Sequence, residues 1–368
     1  MKYCKKCLMP SSRPRIVFDN DGICNGCATA TSKKVTDWEE RKLELVHLLD
    51  SKSREKHDNY DCVVAWSGGK DSSAVALKLR EELGLNPLLV TFSPLIPTVE
   101  GTINRRRLQD LGFDQVMITP DLSISSKLSK RFFIERGDPK VHWNAGINSA
   151  PIQVARSLQI PFVFFAEHGE SEYGGKILKK DSLRTRDMDE ILENQIGDDP
   201  MNWISEHVPF KSLFHYQIAL RGDDRDPQVL YFSYFFPWDI YENFKYVASR
   251  MNFQTAMRGR TYGTFTNFDS LDDTMDDLYY YMQYIKFGFG RCLRDCARQI
   301  QRGHMTKTEA LELIAKFDGE FPDDSLNLTL DFLKMDYSEF MQVVDSHRRD
   351  DIWVREKESW KLRYPVIN

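Results

Sequence analysis

Residues 61–83, DCVVAWSGGKDSSAVALKLREEL, carry the strongest indication of the fold. The apolar run at 62–66 is typical of a buried strand, and 72–83 has the spacing of a helix that ends at Gly84. The same alternation predicts further strands at 88–92, 115–118, 160–166 and 229–236, and helices at 102–111 and 151–158. Strands that alternate with helices predict an α/β fold whose parallel sheet is covered on both faces.

The loop between the first strand and helix has the sequence Ser67-Gly68-Gly69-Lys70-Asp71-Ser72. Its glycines let backbone N–H groups approach an anion, the helix N-terminus adds positive potential, and the two serines add hydroxyl donors. We therefore predict a phosphate site, with a ligand-free glycine turn as the alternative. The loop is not a Walker A motif, because Val64 stands where its first glycine belongs and Asp71 stands where its Ser or Thr belongs.

Two cysteine pairs near the start predict a metal site. Cys4 and Cys7 form one CxxC pair, and Cys24 and Cys27 form a second pair 16 residues further on. Four thiolates on turns suit a closed, tetrahedral structural zinc site that stabilises a module too small to fold alone. An iron–sulfur cluster and four free surface thiols are the alternatives.

Further candidate site residues are polar or charged side chains near a predicted strand end or near glycines. Glu167, Glu172 and Tyr173 follow the strand predicted at 160–166, where side chains reach the cleft of an open α/β sheet, so we expect substrate or metal contacts. Lys286 and Arg291 flank Phe287-Gly288-Phe289-Gly290, and their charges suit a phosphate or carboxylate. A solvated loop and a glycine-kinked helix junction are the respective alternatives.

Composition narrows the class of protein. With 368 residues, 41% of them hydrophobic, the chain is large enough for a packed enzyme of more than one domain. The formal charge of −5 gives no global field for nucleic acid. The start lacks an apolar signal region and no apolar stretch is long enough to span a bilayer, so we expect a cytoplasmic protein without membrane contact.

Several motifs together resemble one family. The glycine loop resembles the PP-loop of the ATP pyrophosphatase (adenine nucleotide alpha hydrolase-like) superfamily. More of the chain resembles its N-acetyl sugar amidotransferase branch, which serves surface-polysaccharide synthesis. The matching stretches are Tyr3-Cys4-Lys5-Lys6-Cys7-Leu8-Met9-Pro10, Arg13-Pro14, Phe18-Asp19, Gly22-Ile23-Cys24, Glu167, Glu172-Tyr173-Gly174-Gly175, Trp238-Asp239 and Lys286-Phe287-Gly288-Phe289-Gly290-Arg291.

The resemblance implies an activity. An acetamido group on a sugar, UDP-linked or nonulosonic, would become an acetamidino group through an O-adenylated intermediate and ammonia from a partner glutaminase, in lipopolysaccharide O-antigen or other surface-glycan synthesis. The loop and Lys70 would hold ATP phosphates, Asp71 would hold Mg²⁺ or orient the nucleotide, and Ala65 and Phe92 would flank ribose and adenine. No activated cysteine of a glutaminase is evident in the sequence, which agrees with ammonia from solution or a partner chain.

The resemblance also implies a domain division: a Cys4 zinc module at 1–32, a linker helix at 33–57, a PP-loop ATP-binding domain at 58–240 and a helical region at 241–368. Two other functions remain open: a tRNA-modifying PP-loop enzyme of the 2-thiouridine synthase type, and a non-catalytic protein that binds zinc and nucleotide. The net charge and the lack of a spare cysteine pair in the sheet region disfavour the first; the charged Lys70-Asp71 pair disfavours the second. The sequence does not determine whether the chain is a monomer or a homo-oligomer.

Overall fold

The computed structural model describes residues 1–52, 60–175, 183–217, 222–223 and 225–367. These residues contain a five-stranded parallel sheet, preceded by a cluster of four cysteines and followed by a series of helices. The predicted fold class is therefore confirmed. None of the described helices is both long and apolar enough to cross a bilayer.

The central sheet places the glycine loop at its middle. Its strands are β1 (Cys62–Ala65), β2 (Pro87–Phe92), β3 (Gln115–Ile118), β4 (Phe162–Phe165) and β5 (Gln228–Tyr231), in the spatial order β3-β2-β1-β4-β5. All neighbouring strands are parallel, and Val63 of β1 pairs with Leu88 on one side and Val163 on the other. The chain winds outward in both directions from β1, so the carboxyl end of β1 is the switch point at which open α/β sheets bind ligands.

Helices precede, cover and follow the sheet. Those up to residue 251 are α1 (Asn25–Ser32), α2 (Trp38–Lys52), α3 (Lys70–Leu83), α4 (Val99–Asp110), α5 (Leu122–Arg136), α6 (Val141–Ser157), α7 (Gly169–Tyr173), α8 (Met188–Ile191), α9 (Phe232–Phe235) and α10 (Ile240–Met251). Short segments of 3₁₀ or π helix lie at Lys33–Val35, Leu192–Ile196, Pro200–Trp203 and Phe210–Tyr216. The later elements are α11 (Met275–Phe287), α12 (Arg291–Arg302), α13 (Lys307–Phe317), α14 (Asp323–Leu333), α15 (Tyr337–Ser346) and an antiparallel hairpin of β6 (Trp353–Glu356) and β7 (Ser359–Leu362).

Alternate side chains of the central strands enter two separate hydrophobic cores. Val64 packs with α3 and α10, whereas Val63 packs with α5 and α6 on the opposite face. This arrangement follows from the two-residue period of a strand and confirms that both faces are covered.

Some local predictions are wrong. The strand expected at 229–236 ends at Tyr231, and its remainder forms α9. Pro151 does not begin a helix but lies inside α6, which starts at Val141. The last predicted region, 241–368, is helical up to Ser346 except for a non-helical segment between α10 and α11 and short connections, and it then forms the β6–β7 hairpin.

Other local predictions hold. Gly84 ends α3 with a φ of +67°. The sequence Thr306-Lys307-Thr308-Glu309 is typical of a capping box, and Phe317-Asp318-Gly319 is typical of a helix stop. In the structure Thr306 and Glu309 form this box at the start of α13, which ends at Phe317. The linker helix expected at 33–57 is observed as α2 up to Lys52, and residues 53–57 lie outside the described residues. The domain boundaries stay predictions.

Candidate functional site

The glycine loop leaves the carboxyl end of β1 and leads directly into α3. Gly68 has a φ of +95°, in the left-handed region that favours glycine, and a Cβ there would lie 2.7 Å from Cγ of Arg105. Gly69 is the N-cap of α3 and has no side chain to accept from the first-turn N–H groups. The hydroxyl of Ser67 accepts from the N–H of Gly69 at 3.0 Å, and that of Ser72 accepts from the N–H of Ser67 at 3.3 Å. The result is a compact loop at an uncapped helix N-terminus, which suits an anion.

Lys70 belongs to this loop, and its ammonium group lies between two carboxylates. Its side chain is only 2% exposed, and Nζ donates to Asp71 Oδ2 at 2.7 Å and to Asp269 Oδ1 at 2.8 Å. Burial by itself lowers the pKa of Lys70, but Asp269 and Asp71 outweigh it and hold the pKa above its ordinary value. Lys70 is therefore a fixed positive charge at neutral pH. Asn243 of α10 donates to the other oxygen of Asp71 at 3.0 Å and orients that carboxylate.

Asp269 is a site residue that the sequence analysis missed. It belongs to the segment between α10 and α11, 199 residues from Lys70 in the chain. Although burial raises the pKa of Asp269, the surrounding cations, with Lys70 and Arg291 foremost, hold it well below its usual range. No local motif marks this residue, because its partner is brought to it only by the folded chain.

The two residues expected to flank ribose and adenine lie at strand ends. Ala65 is the last residue of β1 and is partly exposed. Phe92 is the last residue of β2 and is 4% exposed, in the core shared with α6. A Cβ on Gly146 of α6 would lie 2.3 Å from the nearest ring atoms of Phe92. The ring of Tyr216 packs edge-on against that of Phe92, with 5.9 Å between the two ring centres. The adenine contact of Phe92 stays a prediction.

Glu167 and Tyr173 face the site from the carboxyl end of β4. The Tyr173 hydroxyl donates to Glu167 Oε1 at 3.1 Å. The pKa of Glu167 is raised to about 7, first by burial and then by the negative charge of Asp71, against the opposing effects of Arg298 and Lys70. The structure thus brings Glu167, Lys70 and Asp71 within electrostatic reach of each other. Glu167 titrates near neutral pH, a useful property for a group that exchanges a proton.

Glu172 lies close by but has different partners. Its side chain is 1% exposed and forms ion pairs with Lys33 and, at 2.7 Å, with Arg302 of α12. It also lines a cavity of about 190 Å³ with His168 and Trp38. Both carboxylate oxygens of Glu172 are held by cations, so the structure gives it a role in joining three parts of the chain, and its predicted substrate contact stays a prediction.

Lys286 and Arg291 occupy different surroundings. Lys286 donates to the backbone carbonyl of Arg136 at 3.1 Å, at the end of α5. Arg291 is 1% exposed, and its Nη2 donates to the backbone carbonyl of Asp269 at 2.7 Å. Of the two predicted cations, Arg291 therefore belongs to the surroundings of Lys70 and positions the segment that carries Asp269. The substrate contacts predicted for both stay predictions.

Two further arginines of α12 extend the site. Arg294 Nη2 lies 3.5 Å from Asp269 Oδ2, on the opposite side of that carboxylate from Lys70. The guanidinium of Arg298 lies 3.6 Å from the centre of the Tyr173 ring. With Arg291, these residues have spacings of three and four and so share one face of the helix. The sequence analysis missed both, although this spacing was available as a signal.

The four N-terminal cysteines converge as expected. All are buried, and their Sγ atoms lie within 4.8 Å of one another, with 3.5 Å between Cys7 and Cys24 and 3.9 Å between Cys4 and Cys27. A tetrahedral ion with metal–sulfur bonds of about 2.3 Å requires sulfur separations of about 3.8 Å. The donors therefore fit a closed metal site, and the alternative of free surface thiols is excluded.

Two glycines of the cysteine module have different uses. Gly22 has a φ of +78° and permits the turn towards the metal site. Gly26 lies inside α1, where a Cβ would come within 3.0 Å of the backbone N of Gly174. Gln301 of α12 also donates to Cys7 Sγ at 3.5 Å. The module thus packs directly on the segment that carries Glu167 and Tyr173.

Comparison with known proteins gives one family match, and it lies in the C-terminal part. Residues 262–365 match the family described as LPS biosynthesis protein WbpG-like, C-terminal domain. The matched residues include Asp269 and the whole of α12. An uncharacterized protein of Methanocaldococcus jannaschii is 34% identical over 88 residues, which are 24% of this chain and only 31% of that protein.

Two solved structures show limited similarity. NMN synthetase from Francisella tularensis aligns over 82% of this chain and 98% of its own, with 12% identity and a TM-score of 0.33. A predicted subunit of tRNA methyltransferase from Methanocaldococcus jannaschii aligns over 42% of this chain and 73% of its own, with 21% identity and a TM-score of 0.24. Both scores are too low for a shared fold to follow from them.

Proposed function

We propose that this protein is an ATP-dependent amidotransferase of surface-glycan synthesis, which converts an acetamido group of a nucleotide-linked sugar to an acetamidino group. The observation that carries the proposal is the contact of Asp269 with Lys70 at 2.8 Å. It joins the segment that matches an LPS biosynthesis domain to the lysine of a phosphate-binding loop. A site for a nucleotide and a site for a glycan precursor would thus lie next to each other, with the contact of Lys70 and Asp269 between them.

The first step would activate the amide. The acetamido oxygen attacks the α-phosphorus of ATP, the bond to pyrophosphate breaks, and the nitrogen releases its proton to water, which leaves an O-adenylated imidate. Lys70 and the N–H groups at the start of α3 would stabilise the charge that develops on pyrophosphate. Asp71, oriented by Asn243, offers the carboxylate oxygens that Mg²⁺ prefers and would hold that ion with the nucleotide.

The second step would exchange oxygen for nitrogen. Ammonia attacks the imidate carbon, a C–N bond forms, the C–O bond breaks and AMP leaves, so that the product is an amidine. When nitrogen arrives as ammonium, one proton must be removed first. Glu167, with its pKa of about 7 and its hydrogen bond from Tyr173, is the group of this chain suited to accept it.

The cysteines bear on two further components of the proposal, the metal ion and the source of ammonia. The buried Cys4, Cys7, Cys24 and Cys27 would hold a structural zinc ion, which leaves no open position for catalysis. All seven cysteines of the chain are buried, so none offers an accessible nucleophile for glutamine hydrolysis. This supports ammonia from a partner glutaminase.

The test measures AMP and pyrophosphate with Mg-ATP, ammonium and a UDP-linked diacetamido uronic acid. Wild type should release AMP only when the sugar is present, and Lys70→Ala should reduce the rate by about a hundredfold or more. Lys245→Ala is the matched control, because Lys245 is 52% exposed and its described contacts, with Glu242 and the Tyr241 ring, lie within its own helix. AMP that depends on tRNA instead of the sugar would overturn the proposal in favour of a tRNA-modifying enzyme.

A further inference from the structure

The face of α12 towards the site holds more positive charge than its carboxylates compensate. Arg294 Nε donates to Asp295 Oδ1 at 3.1 Å, and Arg298 Nη1 lies 3.9 Å from the same oxygen. The other oxygen, Oδ2, accepts from the hydroxyl of Thr264 at 2.8 Å. One carboxylate oxygen thus serves two guanidinium groups. The second nearby acid, Asp269, is shared between Lys70 and Arg294.

Arg298 has no side-chain hydrogen bond among the contacts described, whereas Arg291 and Arg294 each have at least one. Arg298 is 15% exposed, its Nε is buried without a hydrogen-bond acceptor, and 3.9 Å to Asp295 is too long for a hydrogen bond. The Tyr173 ring covers one face of the guanidinium at 3.6 Å, which holds the group in place but provides no acceptor for its N–H groups. Arg291 shows the same deficit deeper in the protein, where Nη1 has no acceptor either. A buried donor without a partner costs free energy unless a ligand supplies the acceptor.

We infer that Arg294 and Arg298 bind an anionic group of the sugar substrate, a carboxylate or a phosphate, at a position separate from the ATP phosphates. The inference rests on the proposed function and extends it to the substrate class. The guanidinium fork matches two oxygens of either group. Asp269 separates this position from the phosphate loop, since its Oδ1 contacts Lys70 and its Oδ2 faces Arg294. A second anion would therefore lie beyond Asp269.

The position also suits the reacting group. Tyr173 is stacked under Arg298 and donates to Glu167, so an anion on Arg298 anchors the sugar beside the carboxylate that would accept the proton from ammonium. Binding energy from an anionic group remote from the reacting carbon can thereby orient the acetamido oxygen towards the α-phosphorus.

The test is calorimetric binding to wild type, Arg298→Gln and Arg298→Lys, with no turnover required. The probes are Mg-AMPCPP, UDP-N-acetylglucosamine, and a diacetamido uronic acid with and without UDP. Arg298→Gln should weaken binding of the anionic sugar by about ten- to a hundredfold and leave Mg-AMPCPP binding unchanged, and Arg298→Lys should lose less. Arg106→Gln is the control, because Arg106 is 75% exposed on α4. Thermal unfolding of each variant establishes that it is folded.

The choice of probes shows which group of the sugar supplies the anion. It also distinguishes failure of this inference from failure of the proposed function. A loss seen with the free uronic acid assigns the carboxylate, and a loss seen with UDP-N-acetylglucosamine assigns the diphosphate. Unchanged binding of every sugar, or an equal loss of Mg-AMPCPP, would overturn the inference even if wild type releases AMP with the sugar. Conversely, Arg298-dependent sugar binding without AMP release would preserve the anion site and overturn the proposed function.

Discussion

Replacing Asp269 with asparagine tests how strongly the C-terminal segment supports the glycine loop. The substitution keeps the size of the side chain and removes its charge. It leaves Lys70, which is 2% exposed, with Asp71 as its remaining carboxylate at 2.7 Å. It also removes the anion that lies between Lys70 and Arg294, so two cations then face each other.

The expected loss of stability follows from this geometry. Removing one partner of a buried ion pair costs about 3–5 kcal/mol. The Asp269 side chain is 19% exposed and Lys70 keeps one carboxylate, so we expect a smaller loss than this, about 2–3 kcal/mol at pH 7. The pKa of Asp269 is depressed in the folded state, so the stabilisation is present above its unfolded pKa of about 3.9 and is lost as the pH falls through the lower folded value. The difference between wild type and variant should therefore shrink below about pH 4.

The assay is urea unfolding followed by tryptophan fluorescence and, separately, by circular dichroism, so that independent unfolding of parts of the chain is detected. Asp324→Asn is the control: it makes the same substitution at a side chain that is 79% exposed and pairs with Arg258 at 3.2 Å. The control should lose at most about 1 kcal/mol. Equal unfolding free energies for the two variants at pH 7 would refute the reasoning that Asp269 is a buried partner of Lys70.

Two further predictions concern the metal site and Glu167. Cys4→Ser should abolish stoichiometric zinc, measured by mass spectrometry, and lower the melting temperature, whereas a variant that keeps its full stability without metal would contradict a structural site. Glu167→Gln should remove the rise in AMP formation that wild type shows as the pH increases through about 7, because only the carboxylate accepts a proton. The pKa of Glu167 is raised in the folded state, so wild type loses stability as the pH rises from the unfolded pKa of about 4.3 to about 7, and the same variant should be more stable than wild type above pH 7. A variant that keeps the wild-type pH profile would exclude Glu167 as the titrating group.

The sequence was sufficient for the parts of the fold that depend on local patterns. Hydrophobic runs, the helix stop at Gly84 and the capping box at Thr306 act within a few residues, and the structure confirms them. The boundary errors arise where packing overrides propensity. Pro151 is tolerated inside α6, and the apolar run after Tyr231 turns into α9, where Phe232 and Phe235 pack in the core beneath the sheet.

The candidate site was predicted only where it is contiguous in the chain. The glycine loop and the four cysteines can be recognised from the spacing of their residues in the sequence. Asp269 cannot, because its role depends on a partner 199 residues away. Arg294 and Arg298 could have been found from their shared helix face, but their significance depends on the few acceptors around them, which only the folded structure reveals.

The cysteine module is more closely connected to the candidate site than a separate zinc-binding module would be. Glu172 is 1% exposed and binds Lys33, next to α1, and Arg302, at the end of α12. Replacing it would leave two cations buried without their shared partner, so the three segments it joins depend on one another. Gly26 packs on Gly174, one residue after the tyrosine that donates to Glu167. If the four cysteines hold an ion, its loss should therefore disturb the position of Glu167 as well as the fold of the module.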